Sequence, residues 1–389
     1  MITVDDALEK LLALAAPLEV EEVPLRAAAG RTLARAVTAR RDQPPFSAAA
    51  MDGYAIAADP PTGDRLAVVG EAAAGHGFDG SVGPGEAVRI FTGAPVPANA
   101  TRVIIQEDTA RDGDTITLTA NPGQRRHVRA MGADFRVGDR LEAPRVLSPS
   151  DVALLAAMNI DTVPVTRRPE VAIIATGDEL VQPGEDPGPD QIIASNSYGL
   201  AALIESLGAT ARLLPIARDT HAALQAVFDM ADGADLVLTI GGASVGDHDL
   251  VGSALADRGM DRAFYKVAMR PGKPLMAGRL GPAALIGLPG NPVSAMVCGH
   301  VFVAPVVRAM LGQTATLPTP EPRPLAVPLP ANGPRQHYLR ARTTEAGVAP
   351  FDTQDSSLLS VLSQADCLIV QPADDPGRPA GTAVPVLPL

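Results

Sequence analysis

The chain has 389 residues, 46% of them apolar and 20% charged, with a formal net charge of −12. That length exceeds one compact core and predicts roughly two to four domains. The acidic balance excludes a protein that grips nucleic acid with its whole surface, so an anionic ligand must find a local basic pocket.

Residues 1–40 read as helical, opening on MITVDDALEKLLALAAPL. That stretch carries Asp5, Asp6 and Glu9 and has no basic leader, so it reads as an amphipathic helix and not a signal peptide. From 43 to 124 the runs YAIAA, RLAVVGEAAAG, EAVRIFTG, RVIIQEDTA and DTITLTA are short and broken by Gly, Pro, Asp and Asn. They predict a small β-rich domain with hairpins, DGDT at 112–115 being one turn. At 148–158 Ser148 is an N-cap, Pro149 takes the first helical position and Asp151 completes a capping box. This helix is expected to pack on the N-terminal one. Residues 1–42 and 125–166 would then form a helical linker domain, with the β-rich domain, 43–124, inserted.

From 167 to 317 strand and helix alternate. RPEVAIIATG, ARLLPIA, ADLVLTIGG, FYKVAM and AALIGLPG read as strands, separated by NSYGLAALIESLGA, HAALQAVFDMA and DLVGSALADRG as helices. The fold class is therefore α/β and multidomain, centred on a doubly wound parallel sheet. The last helix, from Pro292, is long and apolar but carries His300, Pro305 and Arg308, which fits a buried helix better than a membrane span. After the proline-rich LPTPEPRPLAVPLP, residues 318–389 predict a small C-terminal β domain. Cys298 and Cys367 are far apart, with no CxxC. A disulfide framework and a cysteine zinc site are both absent, and a reducing cytoplasm is the expected compartment.

In such a sheet, ligands bind beyond the carboxyl ends of the strands. Five loops belong there: TGDEL (176–180), ARDT (217–220), GGASVGDHD (241–249), KVAMRPGKP (266–274) and GLPGNP (287–292). Their glycines permit close backbone approach to an anion. Lys266, Arg270 and Lys273 add cations, and Asp178, Glu179, Asp219, Asp247 and Asp249 add hard oxygens suited to Mg²⁺. Taken singly, each has a plainer reading as a tight turn, an N-cap or a solvated side chain. Their gathering on one edge favours a site.

Other chemistries fit less well. GHGFDG at 75–80 opens no helix, and GxxxxGK[ST] is missing, so neither nucleotide motif applies. GASVG at 242–246 follows a strand, but its acid and histidine would have to be Asp249 and His300, the latter on an apolar helix. The six histidines show no metal-ligand spacing; His248 lies in the glycine loop. Outside the sheet, MDGYAI at 51–56, FTGAPVP at 91–97 and the basic RRHVRAMGAD at 125–134 also need a reason, their plainer readings being an ordinary turn, a loop at a strand end and a solvated basic face.

The ordered set MDGYAI, FTGAPVP, VRxxGxD, TGDEL, SNSYGL, GGASVGDHD, RPGKP and GLPGNPVS resembles the molybdopterin molybdenumtransferases, the MoeA proteins related to the E domain of gephyrin. The likeness spans nearly the whole chain and weakens after about 320. It implies an elongated homodimer that takes adenylylated molybdopterin and molybdate, releases AMP with Mg²⁺ and yields molybdenum cofactor. By motif, Asp52, Thr92 and Asp134 would reach across the dimer. Glu179, Asp219 and Asp249 would be the functional carboxylates and metal ligands. Lys266 and Arg270 would hold the anion. Gly241, Gly242, Ser244, Gly246, Asp247, Lys273, Pro289, Gly290 and Asn291 would bind the pterin substrate, with the helix start at 291–292 facing an anion.

Partners implied are a second copy, an adenylyltransferase and molybdoenzymes or their chaperones, with neither nucleic acid nor membrane. Arg270 stands where lysine is common, and a planar fork is not a compact ammonium. Arg340, Arg342 and Ser356 are the C-terminal candidates. An adenylyltransferase, a molybdopterin-binding scaffold or carrier, and a tungsten-selective paralogue remain open alternatives.

Overall fold

The computed structural model describes residues 1–121, 123–242, 250–314 and 319–389. Helix α1 (Val4–Leu12) starts on a full capping box, the Thr3 hydroxyl accepting from Asp6 N–H while the Asp6 carboxylate accepts from Thr3 N–H. It buries Val4, Ala7 and Leu11, one stripe of the helical repeat, in the main core of the α/β domain. This corrects the expected helix pairing, because α1 covers the last helix of that domain. Ile2 anchors it by bonding backbone to backbone with the 266–268 segment, its N–H to Lys266 O at 3.2 Å and its carbonyl from Ala268 N–H at 2.8 Å.

The remainder of 1–40 is not helical. Strand β1 (Val20–Pro24) pairs antiparallel with residues 162–166, and two shorter strands complete a four-stranded sheet. The β-branched Val20 and Val23 suit an extended strand, and Pro17 and Pro24 bar a continued helix. The linker helix α2 (Pro149–Ala157) has its capping box on Ser148 and Asp151 as read from sequence. It buries Leu155 with Leu33, Leu147, Val163 and Val165, a core separate from that of α1. The β-rich unit holds a six-stranded sheet. DGDT makes the expected turn, Asp112 pairing with Thr115 around Gly113 at φ 62°.

The α/β domain runs β2 (Glu170–Ala175), α3 (Ser195–Ser206), β3 (Thr210–Leu213), α4 (His221–Asp229), β4 (Leu236–Ile240), α5 (Leu250–Asp257), β5 (Asp261–Tyr265), β6 (Met269–Arg270), β7 (Met276–Leu280) and β8 (Ala283–Leu288). Its six-stranded sheet has the order β3-β2-β4-β8-β7-β5. The first four are mutually parallel, and the central pair β4 and β8 is buried throughout and apolar except for Thr239, with helices on both faces. The sheet is not parallel throughout. Residues 276–280 form β7, which returns antiparallel to β8 through Gly281 (φ 57°) and Pro282, and β5 pairs antiparallel with β7. A hairpin needs no crossover helix, so the short PLMAGRLGPAALI run holds two strands.

FYKVAM is not one strand. Lys266 turns the chain with φ 68°, and β6 leaves the sheet to pair in parallel with β9 (Gln336–Thr344) of the C-terminal domain. The final helix spans 292–310, and most of it is buried in the α/β core. Its turn at Gly299–Val303 is a wide π-turn. Pro305 supplies no N–H to the Val301 carbonyl, which accounts for the widening. The C-terminal domain continues β9 with Cys367–Gln371, Ala383–Pro388 and Glu321–Pro324 around Leu325, Ile369 and Val386.

Gly53, within MDGYAI, sits on a strand so close to its neighbour that an added Cβ would fall on the Ile104 carbonyl. Gly53→Ala is expected to destabilise the protein by about 2–3 kcal/mol, read as a lowered urea midpoint; an unchanged midpoint would show that the strand pair yields freely.

Candidate functional site

A cavity of about 990 Å³ opens at the carboxyl edge of the parallel strands. Glu179, Asp219, Gly241, Gly242, Pro289, Gly290 and Asn291 all line it, so the structure brings together these seven sequence candidates from four loops, with Gly177 beside them. The loops fix one another. Arg218 donates to the Asp178 carbonyl at 2.8 Å, and the Asp178 carboxylate accepts from Asp219 N–H at 3.2 Å. Asp178 is thereby a loop brace, and Glu179 and Asp219 are the carboxylates left to the cavity. Gly241 (φ 90°) and Gly290 meet with no side chain between them, since a Cβ on Gly290 would lie 3.7 Å from Gly241 Cα.

Two of these glycine amides are committed inside the fold. Gly177 N–H goes to Ala217 O at 3.1 Å and Gly241 N–H to Leu288 O at 3.1 Å, both inside the fold. At the helix start, positions 292 and 293 likewise offer no N–H to the cavity. Pro292 has no N–H, and Val293 N–H bonds to Ser356 O at 3.0 Å. At Gly177 and Gly241, glycine serves to let loops crowd together.

The cations are also not in this cavity. Lys266 has its Nζ 5.1 Å from the centroid of Tyr265, and Arg270 and Lys273 line a second cleft of about 350 Å³. That cleft adds Arg335, Gln354, Asp355 and Ser356 from the C-terminal domain and Ser294 from the last helix. Asn291 and Pro274 line both spaces, so the two are contiguous. Gly272 (φ 105°) shapes the cationic loop, and a Cβ there would run into the buried Cys298 sulfur. Sequence reading missed Arg335, Gln354 and the wall formed by Ser195, Asn196 and Ser197, although SNSYGL had stood out. Asn196 Nδ2 donates to Gly290 O at 2.7 Å, tying α3 to the glycine loop.

Asp52, Thr92 and Asp134 lie in the N-terminal part. Asp52 Oδ1 accepts from both Thr92 N–H and Thr92 Oγ–H, each at 2.7 Å. Those two bonds, backbone first, hold the Asp52 carboxyl below the ordinary carboxylate range. Asp134 lines a third cleft with Phe46, Gly93 and Arg129, which shares no residue with the sheet-edge cavity. Ser244, Gly246, Asp247, His248 and Asp249 lie outside the described residues, and the GASVG elbow reading lies there with them. Among the described residues, no three His, Cys, Asp or Glu side chains form a metal cluster.

His337, opposite Arg270 on β9, is 7% exposed, and burial beside Arg270, Arg335 and Arg340 pushes its pKa down to about 4. The unfolded chain binds this proton more readily, so folding stability falls as pH drops from about 6.5 toward 4. His337→Gln is expected to flatten that loss by a few degrees in Tm between pH 7 and 5; parallel wild-type and variant curves would contradict it. Thr92→Val removes one of two donors, so the Asp52 pKa should rise, as followed by carboxyl NMR titration. Asp52 stabilises the fold above its ordinary pKa and loses that contribution as pH falls through its lowered value.

Sequence profiles described as MoeA N-terminal region (domain I and II), probable molybdopterin binding domain and MoeA C-terminal region (domain IV) match residues 2–159, 172–309 and 322–389. The chain is 34% identical to the molybdopterin molybdenumtransferase of Haemophilus influenzae, covering 100% of this chain and 99% of that protein. It is 35% identical to molybdopterin molybdenumtransferase 2 of Mycobacterium tuberculosis, over 94% of each. The crystal structure of the molybdopterin biosynthesis moeA protein from Pyrococcus horikoshii superimposes with a TM-score of 0.86 at 28% identity, covering 100% of both chains. Fold, loop order and full-length similarity agree, and the chain belongs to the molybdopterin molybdenumtransferase (MoeA) family.

Proposed function

We propose that this chain inserts molybdate into adenylylated molybdopterin, releasing AMP and yielding molybdenum cofactor. The observation that carries the reading is the division of charge between two contiguous spaces. The large cavity offers Ser195, Asn196, Ser197 and Asn291 for a heterocycle, and its described lining contains no lysine or arginine. The small cleft gathers Arg270, Lys273 and Arg335 around a space of about 350 Å³, suited to a compact tetrahedral dianion. Its one carboxylate, Asp355, accepts from Ser357 N–H and Oγ–H, both at 2.8 Å, which ties it back into its own loop.

A pyrophosphate placed in the large cavity meets Glu179 and Asp219, while Arg218 nearby is turned to the Asp178 carbonyl and is not among the described lining residues; the two carboxylates are a donor set that fits a hard divalent ion. Glu179 and Asp219 are the residues that would hold Mg²⁺, whose chemistry there is neutralisation of charge on the leaving phosphate. The protein's own part is positioning. Gly241 and Gly290 let the loops close on the substrate, Asn196 fixes Gly290, and the cationic cleft holds molybdate beside the dithiolene end. A water or molybdate oxygen adds at the adenylate phosphorus as its P–O bond to the pterin phosphate breaks, AMP leaves, and the two dithiolene thiols take the place of one molybdate oxide, which leaves as water carrying their protons, with no change of oxidation state.

The reading extends to a homodimer, in which Asp52, Thr92 and Asp134 of one subunit complete the cavity of the other. Its support is that those residues share no cleft with Glu179 and Asp219 in one chain, and that Phe46, Met51 and Met131 beside them are 38%, 42% and 52% exposed.

Single-turnover AMP release from adenylylated molybdopterin tests the proposal. Release is expected to require molybdate, to stop on chelation of divalent ions, and to fall at least about 100-fold in Glu179→Gln and Asp219→Asn. Tight binding of the pterin with no release in the presence of molybdate would favour a carrier.

A further inference from the structure

The C-terminal domain reaches both spaces through one irregular loop, residues 353–358, which has no helix or strand of its own. Ser356 lines the cationic cleft and Ser357 the large cavity. Ser356 O accepts from Val293 N–H, and Ser356 Oγ accepts from Asn291 Nδ2 at 3.0 Å. The loop is thus the seam between the two spaces.

Arg340 holds that seam from behind. It is 1% exposed and the largest fully buried side chain among the described residues. Its backbone N–H and Nε both donate to Gln354 Oε1, at 3.0 and 3.3 Å. One terminal nitrogen reaches Leu358 O at 3.2 Å and the other Thr353 O at 3.4 Å, at the two ends of the loop. Gln354 closes the exchange by donating from Nε2 to Arg340 O and Phe351 O, both at 2.9 Å. A buried guanidinium is costly, and an apolar side chain of similar volume would commonly stabilise as well. What an apolar chain lacks is donors in a fixed fork that reach the loop at both ends.

We propose that Arg340, with Gln354, is a positioning residue for oxyanion binding: it touches no substrate and sets the loop that carries Gln354, Asp355 and Ser356 into the cationic cleft. The inference rests on the reading of that cleft as the molybdate site. It assigns part of the oxyanion affinity to a side chain that lines neither space.

Calorimetric titration with sodium molybdate of the full chain and of Arg340→Met, Arg340→Lys, Gln354→Ala and Arg335→Gln tests it, alongside steady-state KM values for molybdate and for adenylylated molybdopterin. Arg340→Met and Gln354→Ala are expected to weaken molybdate binding about ten-fold. The KM for molybdate should rise in step in both, and in Arg340→Met, whose side chain lines neither space, the KM for the pterin should stay within about two-fold. Arg340→Lys should recover part of the affinity, because an ammonium reaches one loop carbonyl but not both ends. A molybdate Kd within about two-fold of wild type in Gln354→Ala overturns the proposal, and does so even if Arg340→Met fails to fold. Arg335→Gln separates the two ideas. If it alone weakens molybdate binding, the cleft reading stands and the positioning role fails; if it too leaves binding unchanged, the cleft reading fails.

Discussion

The arrangement depends on the two-residue strand Met269–Arg270, which belongs by sequence to the α/β domain and by hydrogen bonding to the C-terminal one. The chain leaves its own sheet at Lys266, whose positive φ is held in place by the backbone of Ile2 on one side and by the turn to Leu275 on the other. From that departure follows the cationic cleft, with Arg270 and Lys273 facing Arg335 across a domain boundary. Three positive side chains in one small space repel, and the cluster persists because β-pairing and buried packing hold their backbones. The neutral, buried His337 is part of the same arrangement, since a fourth charge there would oppose the other three.

The molecule thereby separates tasks that a single anion pocket would mix. Carboxylates face the large cavity and cations the small one, while Asn291 and Pro274 form their common wall. The glycines contribute by what they lack. Gly177 commits its amide to the Ala217 carbonyl and Gly241 to that of Leu288 at a strand end, and their value is the absence of a side chain where loops meet. A reading that credits every glycine-rich loop with anion-binding amides would misassign both.

Local signals were legible in the sequence: the capping boxes at Thr3 and Ser148, the turn at Gly113, and the apolar strands Ala172–Ala175 and Leu236–Ile240. These depend on residues within a few positions of one another. What misled depended on distant partners. The docking of α1 on the α/β core is decided by an apolar face some three hundred residues away in the chain, including Val306 and Val307. Strand β7 was hidden because MAGRL is short and flanked by proline and glycine, and becomes a strand only against β8. The site was legible where motifs carry the residues, as at Glu179, Asp219 and Gly290. Arg335 and Gln354 sit in irregular backbone, and their geometry arises only when two domains meet.

The contact between Gly272 and Cys298 has a consequence for how this family can vary. The cationic loop lies directly on the sulfur of a helix residue with no exposed surface, and burial raises the thiol pKa, keeping it protonated. Positions 272 and 298 therefore share one fixed volume. Enlarging either side chain alone moves the loop that bears Arg270 and Lys273, so the two positions should drift through evolution as a linked pair, the helix residue staying small as long as the loop keeps its glycine.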